Sequence, residues 1–389
     1  MEAPTTPPDD RFTPELVERL TCPKEYNLKG MIRELGPLPP ALATSTEQHR
    51  PASPISPPPS PPCLSSLGDL ECLPVELWHM VLEFLDAQAL VRLAQTSHAA
   101  RLAVDALPVY CEVRKHMPDV LVALSRTRML RHHAVAQLRA VLRDSRCASC
   151  FGYGGFLLLP TCERVCFDCL HENRALRMTT LGNVRECFRL TTKQMETRLP
   201  VFYTIPGSYG VRWHKHYPNV HRLINVRQAK ALAITMHGEE QTKKLLAPTK
   251  PGNMSIRKYH IFQGFHEASL TPPGKDLTLL PTPLNWVEDD FGGVASMRMP
   301  YLDARGRMHR GRCCRGCRRM KRMFSDGQLP DDTVSGLVPD GVDPNAVLDA
   351  LVTRLYSDDS FIDHVRDCFG VQQLLSFWDE GHEDEYQSD

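Results

Sequence analysis

"CASCFGYGGFLLLPTCERVCFDC", residues 147–169, places five cysteines within twenty-three positions, and the way they are read decides the fold. Cys147 and Cys150 form one C-x2-C pair, Cys166 and Cys169 a second, and fifteen residues lie between the pairs. A C-x2-C pair bends its backbone into a knuckle that presents two sulfurs to one point. Four thiolates in this order can therefore surround Zn²⁺ tetrahedrally at about 2.3 Å. Cys162 falls outside the spacing and reads as a packed thiol.

The residues around the knuckles agree with this reading. "FGYGG" supplies glycines for a tight turn, "FLLLPTCERV" supplies the strands of a hairpin, and "CFDCLHENRAL" starts a helix at the second knuckle. The expectation is a treble-clef-like unit over 145–178 holding a structural zinc. Other cysteine chemistry fits less well. A thioredoxin-like site needs one C-x-x-C at a helix start within a βαβ alternation, and that alternation is missing. A cysteine nucleophile needs an orienting His and Asn or Asp, and none stands out among sixteen histidines. Four protein ligands leave no open coordination position, which disfavours a hydrolytic zinc.

A third C-x2-C pair, Cys314 and Cys317, lies in "RGRCCRGCRRMKR". Its missing half is found in "FIDHVRDCF", where His364 and Cys368 stand four apart and so share a face of the expected helix. Together they close a site of three cysteines and one histidine, although it must join pairs 46 residues apart. The alternatives are a separate surface knuckle with a core histidine, or Cys313 ligating in place of Cys314, which the spacing disfavours. His214, His216 and His221 in "RWHKHYPNVH" lack nearby cysteines or acids and read as surface or packed side chains.

Upstream, "LECLPVELWHMVLEFLDAQALVRLAQTSHAARLAV" (70–104) has helical periodicity. Leu77, Met80, Val81, Phe84 and Leu85 recur at steps of three and four, Asp86 interrupts, Leu90, Leu93 and Ala94 begin a second helix, and Ser97 caps a third. Three helices in about 35 residues cannot bury so much apolar side chain by themselves. Either the rest of the chain or another protein must cover them.

This segment resembles the F-box: Leu73, Pro74, Glu76, Leu77, Val81, Leu82, Leu85, Asp86, Leu90 and Ser97 occupy the places of that pattern. The resemblance implies docking on the Skp-type adaptor and cullin scaffold of an SCF-type ubiquitin ligase. It also implies an adaptor-binding set of Leu73, Pro74, Glu76, Leu77, Val81, Leu82, Leu85 and Leu90. The bland reading is a helical hairpin internal to a larger core. From about 70 to 378 the chain is similar to a family of fungal F-box proteins. The shared pieces include "ERVCFDC", "LPVFYTIPGSYG", "INVRQAKALAITMHG", "PYLDARG", "CRGC" and "FIDHVRDC". That similarity implies the distal Cys-Cys-His-Cys cluster and supplies no substrate.

Composition sets the remaining bounds. With 46 basic and 46 acidic residues the chain as a whole carries no field to attract DNA or an anionic membrane. Nine basic residues and no acidic one lie between Arg305 and Arg322, a local stretch that could bind phosphates, act as a nuclear import signal or sit solvated. Fourteen cysteines read as ligands or packed thiols in a reducing compartment. The chain shows neither a signal sequence nor a run of about 18 apolar residues, so a soluble cytoplasmic or nuclear protein is expected. No phosphate loop, carboxylate pair or nucleophile elbow is present, which argues against a self-contained enzyme.

The organisation expected is therefore mostly α with small β elements. Residues 1–66, with fifteen of the 32 prolines by residue 62, read as a disordered arm broken by one short helix capped by Thr13, transient or, as the alternative, docked on a partner. Ser53, Ser56 and Ser60 each precede proline. An F-box at 68–106 leads into a zinc-stapled α+β body, 107–378, with the distal site inside 312–370 and an acidic tail at 379–389. Within the body, 325–344 reads as a loop and 345–356 and 359–377 as helices. The implied function is a non-catalytic substrate-recognition adaptor for an unknown protein substrate. The competing reading is a zinc-dependent nucleic-acid-binding regulator using 305–322. A RING ligase fits poorly, because its eight ligands interleave compactly whereas these fall into two groups nearly 150 residues apart.

Overall fold

Thr13 caps a short helix, Pro14–Leu20 (α1), by accepting the Leu16 N–H on its hydroxyl at 3.3 Å, and Pro14 sits at the first position, where no N–H is needed. The computed structural model describes residues 12–22, 32, 35, 66–209, 215–245, 254–271 and 290–380. The serine-proline sites, His214 and residues 381–389 of the acidic tail lie outside them. The expectation of a disordered arm with a transient helix at Thr13 is corrected, because α1 is docked on the body: Leu20 is fully buried, and Ile32 donates its N–H to Ser296 O at 3.1 Å. A seven-residue helix is marginal in water, and tertiary packing supplies what propensity does not.

The F-box segment is three helices, Val75–Glu83 (α2), Ala87–Ala94 (α3) and His98–Asp105 (α4). Asp86 and Ser97 cap α3 and α4 by accepting the Ala89 and Ala100 N–H groups at 2.8 and 3.0 Å. Pro108 and Pro118 then open Pro108–His116 (α5) and Pro118–Arg126 (α6), and Val135–Arg143 (α7) leads to the first cysteine. Trp78, Leu82 and Leu90 from the F-box helices share one continuous core with Val113, Leu121 and Leu138 from these later helices.

A hairpin, Phe156–Leu158 (β1) and Glu163–Val165 (β2), connects the knuckles, and Phe167–Glu172 (α8) starts directly from the second. Beyond it come Met178–Thr180 (β3), Leu181–Phe188 (α9), Thr192–Arg198 (α10), Phe202–Tyr203 (β4), Gly207–Tyr209 (β5), Lys215–Tyr217 (β6) and Arg222–Asn225 (β7). The helices Val226–His237 (α11), Glu239–Lys244 (α12) and Ile256–Glu267 (α13) follow. Strands β3, β7 and β4 form an antiparallel sheet in that order, while α9, α11 and α13 gather a second core around Phe188 and Phe262.

Ser296–Arg298 (β8) returns to pair with β1, Phe156 facing Arg298 on one side and Val165 on the other. Tyr301–Leu302 (β9) and Met308–His309 (β10) make a small hairpin before the distal helices, Arg315–Ser325 (α14), Asp331–Leu337 (α15), Pro344–Thr353 (α16), Asp358–Asp367 (α17) and Phe369–Asp379 (α18). Two expectations are corrected here. The supposed loop 325–344 contains α15, and the supposed helix 359–377 breaks at Cys368, whose φ of −76° and ψ of 111° are extended. The break allows α18 to turn against α14, where Gly316 and Gly370 bring the two backbones into contact. Together, α1, α14, α16, α17 and α18 enclose a third core.

Candidate metal centres and docking face

In the first cluster the sulfurs of Cys147, Cys150, Cys166 and Cys169 all lie within 4.8 Å of one another, with Cys150 and Cys166 at 3.7 Å. Sulfurs placed tetrahedrally at about 2.3 Å from zinc stand about 3.8 Å apart, so the spacing fits such an ion. The knuckles form locally. Ser149 N–H points to Cys147 Sγ and Cys169 N–H to Cys166 Sγ, both at 3.4 Å, and Phe151 adopts a left-handed φ of 62° to turn the chain. The Cys150 thiol is held far below its ordinary pKa by hydrogen bonds from Cys147, Cys166 and Cys169, and the same crowding raises the thiols of Cys166 and Cys169. Cys162 is buried outside the group, and burial pushes its thiol up to about 12. It is a packed side chain.

Arg164 of "ERVC" holds this unit to the rest of the body. Its buried guanidinium donates to Gly154 O at 2.7 Å, Met299 O at 3.1 Å, Pro300 O at 2.7 Å and Val141 O at 3.2 Å. It thus ties the loop before β1, α7 and the segment after β8 into one unit. Burial lowers its pKa to about 10, still well above neutrality, so it stays charged.

The second cluster brings Cys314, Cys317, His364 and Cys368 together, again within 4.8 Å. Cys368 Sγ lies 3.9 Å from Cys314 Sγ and 4.0 Å from Cys317 Sγ, and His364 Nε2 lies 3.1 Å from Cys317 Sγ. Tyr356 stacks on the His364 ring at 4.4 Å and fixes its plane. Backbone bonds from Tyr356 to Arg312 in both directions, each 2.9 Å, place that tyrosine. Cys368 is held far below the usual thiol range by Cys314 and Cys317. Cys313, the alternative ligand, lies outside the cluster; its carbonyl instead accepts the Cys22 N–H at 3.0 Å. Either cluster could hold a metal ion, and among the described residues these are the two groups that can.

Much of the basic stretch is committed within the chain. Arg307 pairs with Asp303, Arg312 with Glu18 and Asp358, and Lys321 with Asp349. Arg315 donates to Arg19 O at 3.0 Å. His309 bridges Asp303 and Asp358 at 3.0 and 2.6 Å, and Asp303 in particular raises its pKa. His216 bonds Ser208, and His221 packs edge-on to Tyr217, so the "RWHKHYPNVH" histidines within the described residues form no cluster.

The α2 helix presents a different kind of site. Leu73, Val75, Leu77, Met80, Val81 and Phe84 all stand exposed on or beside it, Phe84 at 76%. Burying each such side chain is worth about 1.5–3 kcal/mol, and Leu77, Met80, Val81 and Phe84, at steps of three and four, form an uncovered apolar stripe on one side of α2 that is a candidate docking surface. The family model for the F-box domain matches residues 70–112. The chain carries an F-box domain. F-box proteins are typically non-catalytic adaptors, and the F-box supports binding to a Skp/cullin-type scaffold. Comparison with curated proteins and with solved structures finds no match.

Within the F-box, Leu73, Pro74, Glu76, Leu77 and Val81 are exposed and Leu85 is half-buried. Leu82 and Leu90 depart from the expected adaptor-binding set: both are fully buried and pack in the core with Trp78. Motif position transfers residue type but not the direction a side chain faces. Met80 and Phe84, outside that set, are exposed on the same side of α2 as Leu77 and Val81, and Val75 is exposed at its first position.

Proposed function

We propose that this protein is a substrate-recognition subunit of an SCF-type ubiquitin ligase. The F-box grips a Skp-type adaptor and, through it, a cullin scaffold, while a body clamped by two structural zinc ions presents a protein substrate. Ubiquitin transfer is performed by other subunits, and this chain contributes by positioning. The observation that carries the reading is the uncovered apolar face of α2 in a segment that matches the F-box. Zinc suits both clusters because closed sets of four cysteines, or of three cysteines and a histidine, lack an open position and so stabilise rather than catalyse. Thiols kept available for a metal fit a reducing cytoplasmic or nuclear compartment.

The internal pairing of Arg307, Arg312 and Lys321 favours the adaptor reading over nucleic-acid binding. The test is co-purification of the full chain with a Skp-type adaptor. Leu77→Asp with Phe84→Asp places charge on the exposed face without touching the core and should abolish association. Retention of the adaptor by this variant would remove the proposal.

A further inference from the structure

The run 312–314 carries a partner on each side. Arg312 exchanges two backbone hydrogen bonds of 2.9 Å with Tyr356. Cys313 O faces the other way and accepts the Cys22 N–H at 3.0 Å, with Thr21 bridged antiparallel to Cys314. Residues 21–22 thus add a short strand to an edge that the body has already built, while α1 lies against α14 and α18. Strand addition at a free edge and an amphipathic helix laid on an apolar face are two recurring ways in which folded domains bind peptides.

The groups that receive this segment have anchors of their own in the body. Arg312 donates to Glu18 at 2.9 Å and to Thr21 Oγ1 at 3.2 Å, and its Nε is fixed by Asp358 at 2.7 Å. The Trp378 ring takes the Arg19 guanidinium at 4.1 Å and lies 6.0 Å from that of Arg315, which donates to Arg19 O at 3.0 Å. On the segment itself Leu20 is fully buried, Phe12, Leu16 and Val17 are half-buried, and Glu15, Glu18 and Arg19 are exposed. One deep anchor, one cation over a ring and one ion pair describe a segment that is bound rather than built in, and its seven helical residues are too few to hold their shape in water. Nine residues separate Cys22 from Ile32, which is pinned at Ser296 O. A short tether keeps a segment at about millimolar local concentration, so a weak intrinsic affinity suffices to fill the face until a competitor arrives.

We infer that this face is a peptide groove closed in cis by residues 12–22, and that the occupant it takes in exchange is a short helix of the protein that this chain recruits. That helix shares the chemistry of the resident segment: a leucine at its end for the central pocket, an arginine before the leucine for Trp378, and a carboxylate before the arginine for Arg312. Two extended residues follow for the 313–314 edge. The recruited source rests on the ligase reading above, and the groove does not. The experiment measures the anisotropy of a fluorescein-labelled peptide of residues 11–23 against the full chain. The parent should bind it weakly, because its own segment competes, and the Leu20→Asp chain should bind it about tenfold or more tightly than the parent. Arg19→Glu in the chain, an exposed change that spares the core, should also tighten binding, a gain that misfolding cannot imitate. The peptide carrying its own Leu20→Asp should bind none of the three chains.

No binding by either variant chain, or equal binding by the parent and both variants, would overturn the groove. For the source of the occupant, the same peptide is fused to a lysine-rich carrier and offered to the ligase assembled with its Skp-type adaptor and cullin. The carrier should be ubiquitinated faster with the Arg19→Glu chain than with the parent, and a carrier left unmodified by the assembled ligase would overturn the recruited source. A parent that dimerises in solution, with the dimer lost in Leu20→Asp, would give the groove to a second copy and overturn that source as well. A chain that binds the peptide but never holds the adaptor keeps the groove and loses the ligase reading, so the two failures are distinguishable.

Discussion

Replacing Gly370 by alanine tests whether the distal donors depend on the crossing of α14 and α18. A Cβ at Gly370 would stand 1.9 Å from Gly316 O and 2.5 Å from Gly316 C, whereas ordinary contact begins at 3.4 Å. The two nearest obstructing atoms are backbone, so although the Met320 side chain, 2.8 Å away, can shift, the helices must part by about 1.5 Å. Cys317 follows Gly316 directly and Cys368 precedes Gly370 by two, so the separation falls on sulfurs now 4.0 Å apart. Metal sites hold their ligand distances to within about 0.2 Å, several times less than this displacement.

Overpacking alone costs about 1–3 kcal/mol, but losing a structural ion forfeits on the order of 10–16 kcal/mol, comparable to the whole stability of a typical domain. Gly370→Ala should therefore lower the metal content from two ions per chain to one and expose 315–380 to protease, with 147–169 still protected. The assays are elemental analysis of the purified protein and limited proteolysis read by mass spectrometry. A variant with two bound ions and an unchanged melting temperature would refute the reasoning.

Arg164→Met should destabilise the first centre severely, since even about 1 kcal/mol for each of the four carbonyls left without a donor totals about 4 kcal/mol; a denaturant melt within about 1 kcal/mol of the parent would contradict this. The His309 bridge should give a pH signature: with its pKa raised by Asp303 and Asp358, its contribution is complete below the ordinary value of 6.5 and lost as pH rises through the raised one. The melting-temperature gap between the parent and His309→Gln should accordingly be larger at about pH 6 than at about pH 8.5, and an equal or reversed gap would dismiss the bridge. Leu20→Asp should release α1 and speed removal of the distal ion by a chelator, because Leu20 is fully buried in the core shared with Cys314, Cys317 and Cys368; unchanged release kinetics would show that α1 does not shield the centre.

Most legible parts have their partners close in sequence; the distal donors are the exception, legible across 46 residues because Cys314 and Cys317 leave half a site and His364 and Cys368 share a helix face. Cys147 to Cys169 carry their own geometry in the spacing of two knuckles, and Asp86 and Ser97 announce the helices that they cap. The third strand of that unit was hidden because Ser296–Arg298 is three residues long and pairs with Phe156–Leu158 across more than 130 positions. The docking of α1 was hidden for a related reason: its seven residues are too few to form a stable helix alone, and the partners that hold it, Arg312 and Cys313, lie far along the chain. On α2, apolar residues occupy both sides, Trp78 and Leu82 inward and Leu77, Met80 and Phe84 outward, so periodicity could not say which side faced the core. The break at Cys368 became intelligible only once Gly316 was seen against Gly370.

Native mass spectrometry of the full chain co-expressed with a Skp-type adaptor weighs the gripping face and the clamped body together. The expected species is a one-to-one complex whose mass includes two zinc ions. A chain recovered folded and alone, with neither adaptor nor metal, would contradict it.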